Sequence, residues 1–194
     1  MLNQKNKIMA TVTSSFIIML IALTSVNLPG VNPKAPADPL LSSTSASMID
    51  DKEFVMKASD ASLLEIKAAE VAAKTSSNEE IKSFANDMIR DHGKANGELL
   101  ALAKKISMSP RSTLSSASEQ KLKTLSSKSG VDFDKAYAEA MVRDHQEAVE
   151  LFKSQASSGK DEELKQWAAE KLPTLEHHLE MAQKLAEAPA NSIK

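Results

Sequence analysis

Two stretches decide how this chain folds: KSFANDMIRDHGKA (residues 82–95) and KAYAEAMVRDHQEA (residues 135–148). Both carry Lys, an aromatic, Ala, Met, a β-branched residue, Arg-Asp-His and Ala at the same spacing. Read at alternating steps of three and four, each becomes one apolar face of a helix. In the first the row is Ile81, Ala85, Met88, His92, Ala95, Leu99, Leu102 and Ile106. In the second it is Ala138, Met141, His145, Ala148 and Phe152. A histidine stands in the middle of each row, and the chain has only four histidines to place.

The same periodicity extends outward. A first helix is predicted from about Asp51 to Lys74, with acids in its first turn. A second begins at a capping box, Ser77 with Glu80, and reaches about Ile106, with Lys104 and Lys105 near its end and Pro110 beyond. A Ser- and Lys-rich connection carries a short helix over about 116–127 and is closed by Gly130. Asp132 is expected to cap a third long helix ending at Gly159. Asp161 is expected to cap a fourth, running to about Glu187 and kinked or broken at Pro173. Short links at 75–76 and 158–160 make two antiparallel hairpins, and the long central link carries the chain along their side. The expected fold is therefore all-α: a ferritin-like four-helix bundle with a long crossover carrying a short helix.

Composition agrees with that class. The 194 residues are 42% hydrophobic and 26% charged, with five glycines, few aromatics and no cysteine. Zero cysteines exclude disulfides, thiolate ligands and a lipid-modified N-terminus. The whole chain carries a formal charge of −2. Its first 37 residues hold three lysines and no acids, so the rest sets 21 basic side chains against 26 acidic ones. That balance argues against nucleic acid as a partner.

Residues 1–28 place Lys5 and Lys7 before an uncharged apolar run, the pattern of an export signal. A cleaved signal peptide and an uncleaved membrane anchor both fit, because no small-x-small site directly follows the run. Residues 29–49, rich in Pro, Ser and Ala, read as a flexible linker. Residues 50–188 form the helical domain, and 189–194 a disordered tail.

Each long helix has one ionisable residue near the middle of its buried row. The first contributes Glu65, between Ala61 and Ala68; the fourth contributes His178, on the face of Leu175, Ala182 and Leu185. Four parallel rods bring Glu65, His92, His145 and His178 to one level. Buried imidazoles and carboxylates are costly unless paired or ligated. Three imidazoles and a carboxylate suit a mononuclear site for Zn, Fe, Mn or Cu. Asp91 and Asp144 lie about 100° round their helices from the adjacent histidines. Each is expected to accept a ring N–H from a histidine on a facing helix, and Glu176 is a further candidate for that outer role. The alternative is a buried polar network that only fixes helix packing. His177 is read as facing outward, Met88 and Met141 as core filler, and Tyr137 and Trp167 as packing anchors.

The segments EIKAAEVAAK from Glu65, SFANDMIRDHGKANGELLALA from Ser83, FDKAYAEAMVRDHQEAVELF from Phe133 and LPTLEHHLEMAQKL from Leu172 resemble the domain of unknown function 4142 proteins. That family comprises exported bacterial helical proteins of ferritin-like fold, often assigned to the outer membrane. The resemblance implies a periplasmic or envelope location and supplies no reaction. Ferritin di-iron sites use Glu-x-x-His, whereas Ile89, Val142 and Leu175 stand three residues before the histidines here. A bridged di-iron centre is thereby disfavoured. With no nucleophile motif and no Gly-rich phosphate loop, an enzyme ranks below a metal-binding protein for storage, sensing or stress protection. It also ranks below a structural module. Membrane anchoring through the first segment and homo-oligomerisation complete the expectations on partners.

Overall fold

The computed structural model describes residues 50–188. The expectations on residues 1–49 and 189–194 lie outside the described residues. The elements are α1 (Asp51–Thr75), α2 (Glu79–Lys105), α3 (Ser116–Ser126), α4 (Gly130–Ser158) and α5 (Glu162–Glu187). The four long helices close a ring in which α1 packs on α2 and α4, and α5 packs on the same two. Ile81 near the start of α2, Asp134 near the start of α4 and Leu185 near the end of α5 line one small cleft, so α2 and α4 run in the same direction. This is the all-α bundle with a crossover that the periodicity predicts. Among the described residues no helix is long and apolar enough to cross a membrane.

Helix ends follow local chemistry, with two departures from expectation. The α2 cap is Asn78, whose side chain accepts the Glu80 N–H at 2.8 Å; Ser77 is exposed and does not cap. Ser76 instead accepts the Asn78 N–H, which orients the cap. Gly130, expected to close the crossover, is already the first residue of α4, and Asp132 lies inside its first turn. Gly130 adopts φ +55°, the left-handed region that a residue without Cβ enters freely, so the chain turns sharply into the helix there. Asp161 caps α5 as expected, accepting the Leu164 N–H at 2.9 Å.

Pro173 does not break α5, which continues through it. The proline leaves the Ala169 carbonyl without its helical donor, but both residues face solvent, where water serves that carbonyl. The interruption is tolerated because it falls on the wet side.

The crossover is pinned to α1. Asp60 accepts the Ser115 N–H and the hydroxyls of Ser115 and Ser118 at 2.7–2.8 Å, and Ser59 accepts the Arg111 N–H at 2.8 Å. At one end of the bundle the buried Asp51 accepts from Gln155 Nε2 and from the Lys160 and Asp161 N–H groups. Gly159 permits that junction, since a Cβ there would lie 2.2 Å from Gln155 Nε2.

The apolar interior falls into two halves. One gathers Phe54, Leu99, Phe152, Leu164, Trp167 and Leu175; the other gathers Ile81, Phe84, Met88, Phe133, Tyr137 and Met141. Phe54, Phe152 and Trp167 contact one another edge-on or tilted at 5.1–6.2 Å, and Tyr137 stacks on Phe133. Tyr137 and Trp167 are thus packing anchors. Between the halves lies a polar layer.

Candidate metal centre

The layer is made by Glu65 from α1, His92 from α2, His145 from α4 and His178 from α5, all buried. The structure brings together the four residues that the buried rows point to. It also selects His178 over His177, which is exposed. The histidine ring centroids form a nearly equilateral triangle with sides of 5.3–5.4 Å. One ligand nitrogen from each ring lies within 4.8 Å of the others.

Each ring is held through one nitrogen. His92 Nδ1 donates to Glu65 Oε2 at 2.8 Å. His145 Nδ1 donates to the Met141 carbonyl at 2.9 Å. His178 Nε2 donates to Asp91 Oδ2 at 3.1 Å. The nitrogens left over are His92 Nε2, His145 Nε2 and His178 Nδ1, all buried and none with a hydrogen-bond partner. Holding a proton on one imidazole nitrogen leaves the lone pair on the other, which is how metal-binding histidines are oriented. A buried polar atom without a partner costs about 1–3 kcal/mol. Three of them in one triangle need a shared occupant or a reason to persist.

The outer groups divide. Asp91 accepts from a histidine on a facing helix, as anticipated. Asp144 does not do the same: it turns to Lys121 at 2.8 Å, because α3 lies over that side of α4. Glu176 is exposed and pairs with Lys153 at 3.1 Å, so it plays no part in the layer. Glu65 itself stands behind His92. Its Oε2 is occupied by the His92 ring, and Oε1 lies 3.7 Å from His145 Nδ1 without a hydrogen bond. The sequence places Glu65 among the ligands, whereas its bond to His92 Nδ1 puts it on the opposite side of that ring from the free nitrogen.

Electrostatics follow from the same contacts. Burial would raise the Glu65 carboxyl, but the charge of His92 and His145 and the His92 hydrogen bond bring it down to about 2. Burial would lower His92, and the Glu65 carboxylate outweighs it, so His92 rises above the ordinary range. His145 falls, chiefly through burial. His178 falls to about 4, through burial and then the neighbouring imidazoles. The free protein thus keeps one proton readily in the layer, on the ring that faces the carboxylate.

Two features were not anticipated from sequence. Ser62 donates to the His92 carbonyl at 3.1 Å, tying α1 to α2 beside the site. The Met141 carbonyl that holds His145 belongs to the backbone, so no residue type could have marked it.

Fold and site together define a class: a four-helix bundle with a crossover and a buried three-histidine layer. Residues 35–185 match the family described as Domain of unknown function (DUF4142), and the chain belongs to that family. No curated protein matches the chain. Among solved structures, it is similar to a DUF305 fragment from Deinococcus radiodurans, with a TM-score of 0.62 at 16% identity over 70% of this chain and 94% of that one. It is also similar to a DUF305 protein from Streptomyces coelicolor, with a TM-score of 0.57 at 14% identity over 70% and 91% of the two chains. At these identities the likeness concerns the fold alone.

Proposed function

We propose that this protein binds one divalent transition-metal ion in the bundle core, through His92 Nε2, His145 Nε2 and His178 Nδ1. The observation that carries the reading is three histidine rings from three different helices, their centroids 5.3–5.4 Å apart and each with one buried, unpartnered nitrogen. Glu65 and Asp91 orient two of the rings, and the buried Glu65 offsets part of the ion's charge. Tetrahedral ligation at about 2.0–2.1 Å sets nitrogens about 3.4 Å apart, so the rings close by up to about an ångström on loading. Zn, Fe, Mn and Cu all accept imidazole, and the donor set does not choose among them.

The role that fits is metal storage, sensing or stress protection in the cell envelope. Export is supported by Lys5 and Lys7 ahead of the apolar run. The same run would serve as an anchor if it is retained. The acidic balance of the helical domain speaks against nucleic-acid binding.

A second reading has its own support. The His92–Glu65 and His178–Asp91 bonds tie α2 to α1 and to α5, so the layer can also fix helix register as a polar network. Equilibrium dialysis of untagged protein against zinc or cobalt separates the two. The metal reading expects one ion per chain, lost in His92→Ala and in His145→Ala. The network reading expects no uptake in any form and the same loss of stability in both variants with or without metal.

A further inference from the structure

The histidine layer is not sealed. A cavity of about 170 Å³ opens beside it, lined by Ala58, Ala61, Ala95, Asn96 and Lys171 and reaching Glu65, His92 and His178. Its walls set small residues, Ala58, Ala61, Ala95 and Ala148, against Leu99, Phe152, Trp167 and Leu175. Asn96, one helical turn after His92, contributes a buried Oδ1 with no hydrogen-bond partner. The volume is enough for several waters or one small ligand.

We infer that this cavity is a small-anion site, and that the anion completes the coordination of the ion held by the three histidines. The inference rests on the metal reading and adds to it the class of external ligand. Three lines support it. First, the chain supplies three ligand nitrogens, and Glu65 lies behind His92, so a tetrahedral ion keeps one open position. Second, the charges do not balance without a further ligand. Of the two carboxylates beside the layer only Glu65 is buried; Asp91 is partly exposed and shares Arg90 with Asp87. The buried Glu65 therefore offsets one of the two charges of a divalent ion, and one monovalent anion would offset the other. Third, Lys94 and Lys171 stand in the cavity wall, which they share with the carboxylates of Glu65 and Asp91, and offer an anion cationic partners there. Lys171 is itself held by Glu98, which also accepts from Trp167 Nε1, so the aromatic wall and the cation are fixed together.

The step is a ligand exchange. The anion donates a lone pair to the open position, the water there leaves to solvent, and no electron is transferred. Because the cavity is narrow, anions of a few atoms fit and bulky ones do not.

The test uses the full chain loaded with cobalt(II), whose visible bands report its ligands, and azide as the probe. Metal content is measured first. With one cobalt per chain, azide is expected to shift the bands saturably at one per metal. Ala95→Leu, which fills the cavity from α2, is expected to weaken azide about tenfold or more while cobalt content stays at one. Ala61→Leu fills it from α1 and serves if the first variant fails to fold. In the unaltered chain, azide binding is expected to be much tighter than that of a bulky carboxylate. Full cobalt content with no response to azide overturns this inference and leaves the metal site standing. A response that neither variant weakens, or one equal for small and bulky anions, also overturns it. Failure to take up cobalt overturns both.

Discussion

The two Arg-Asp-His segments are nearly the same in sequence and opposite in use. On α2, Asp91 reaches across to His178 and is held down in pKa, first by its bond to Arg90 and against the effect of burial. On α4, Asp144 turns outward to Lys121, and burial raises it despite that lysine. His92 faces Glu65 and rises; His145 faces the Met141 carbonyl and falls. The tripeptide fixes where the imidazole sits, because a histidine in the middle of an apolar row must enter the core. It does not fix what holds the ring's other nitrogen. That is decided by neighbours: both α2 and α4 pack on α5, but α4 also has α3 lying over its outer side, where Lys121 takes Asp144.

The largest effect expected is the one the segments share. If both histidines are ligands, His92→Ala and His145→Ala each cost about 100- to 1,000-fold in metal affinity, a few kcal/mol per ligand. Competition against a chromophoric chelator measures it. A loss confined to one of the two would break the pairing and reduce the site to two ligands.

The second expectation concerns pH in the metal-free protein, where the sign differs between the rings. His178 and His145 have folded values below the ordinary imidazole value of 6.5. Their contribution is complete above pH 6.5 and is lost as the pH falls, for His178 through about 4. For His178 the loss is roughly 3 kcal/mol. His92, raised by Glu65, contributes in the opposite sense: fully below 6.5, and lost as the pH rises through its folded value. Urea unfolding at a series of pH values reads the sum, and ring resonances in NMR read each histidine. His145 titrating above His92 would contradict the assigned partners.

A third contrast separates the aspartates. Asp91→Ala removes the acceptor that orients His178, and metal affinity should fall about 10- to 100-fold. Asp144→Ala should leave affinity unchanged and cost only about 0.2–1 kcal/mol of stability, because Lys121 is largely exposed. Equal effects on metal binding from the two substitutions would show that the structure assigns their roles wrongly.

These contrasts mark what the residue pattern can carry. The rows Ile81–Ala85–Met88–His92 and Ala138–Met141–His145 predict both the bundle and the inward rings, since burial of one helix face follows from spacing alone. Glu65 and His178 were legible for the same reason. Asp144 was misread because repetition in sequence suggests symmetric partners, and the position of α3 over α4 removes the symmetry. The break that Pro173 could have made does not occur, because residue type says nothing about which way a side chain faces, and on the exposed side water can serve the carbonyl left without a donor. Asn78 displaced Ser77 as a cap by one residue, a choice between two competent oxygens. The cavity beside Ala61 and Ala95 could not be read at all, because a void is defined by what several helices leave unfilled.

The central claim is most directly tested by anomalous X-ray diffraction from crystals of metal-loaded protein, measured at the edge of the metal supplied. The account predicts a single strong peak inside the bundle, about 2.0–2.2 Å from His92 Nε2, His145 Nε2 and His178 Nδ1, with Glu65 still bonded to the far side of His92. A well-folded bundle with no anomalous density between those rings, at saturating metal, would contradict it.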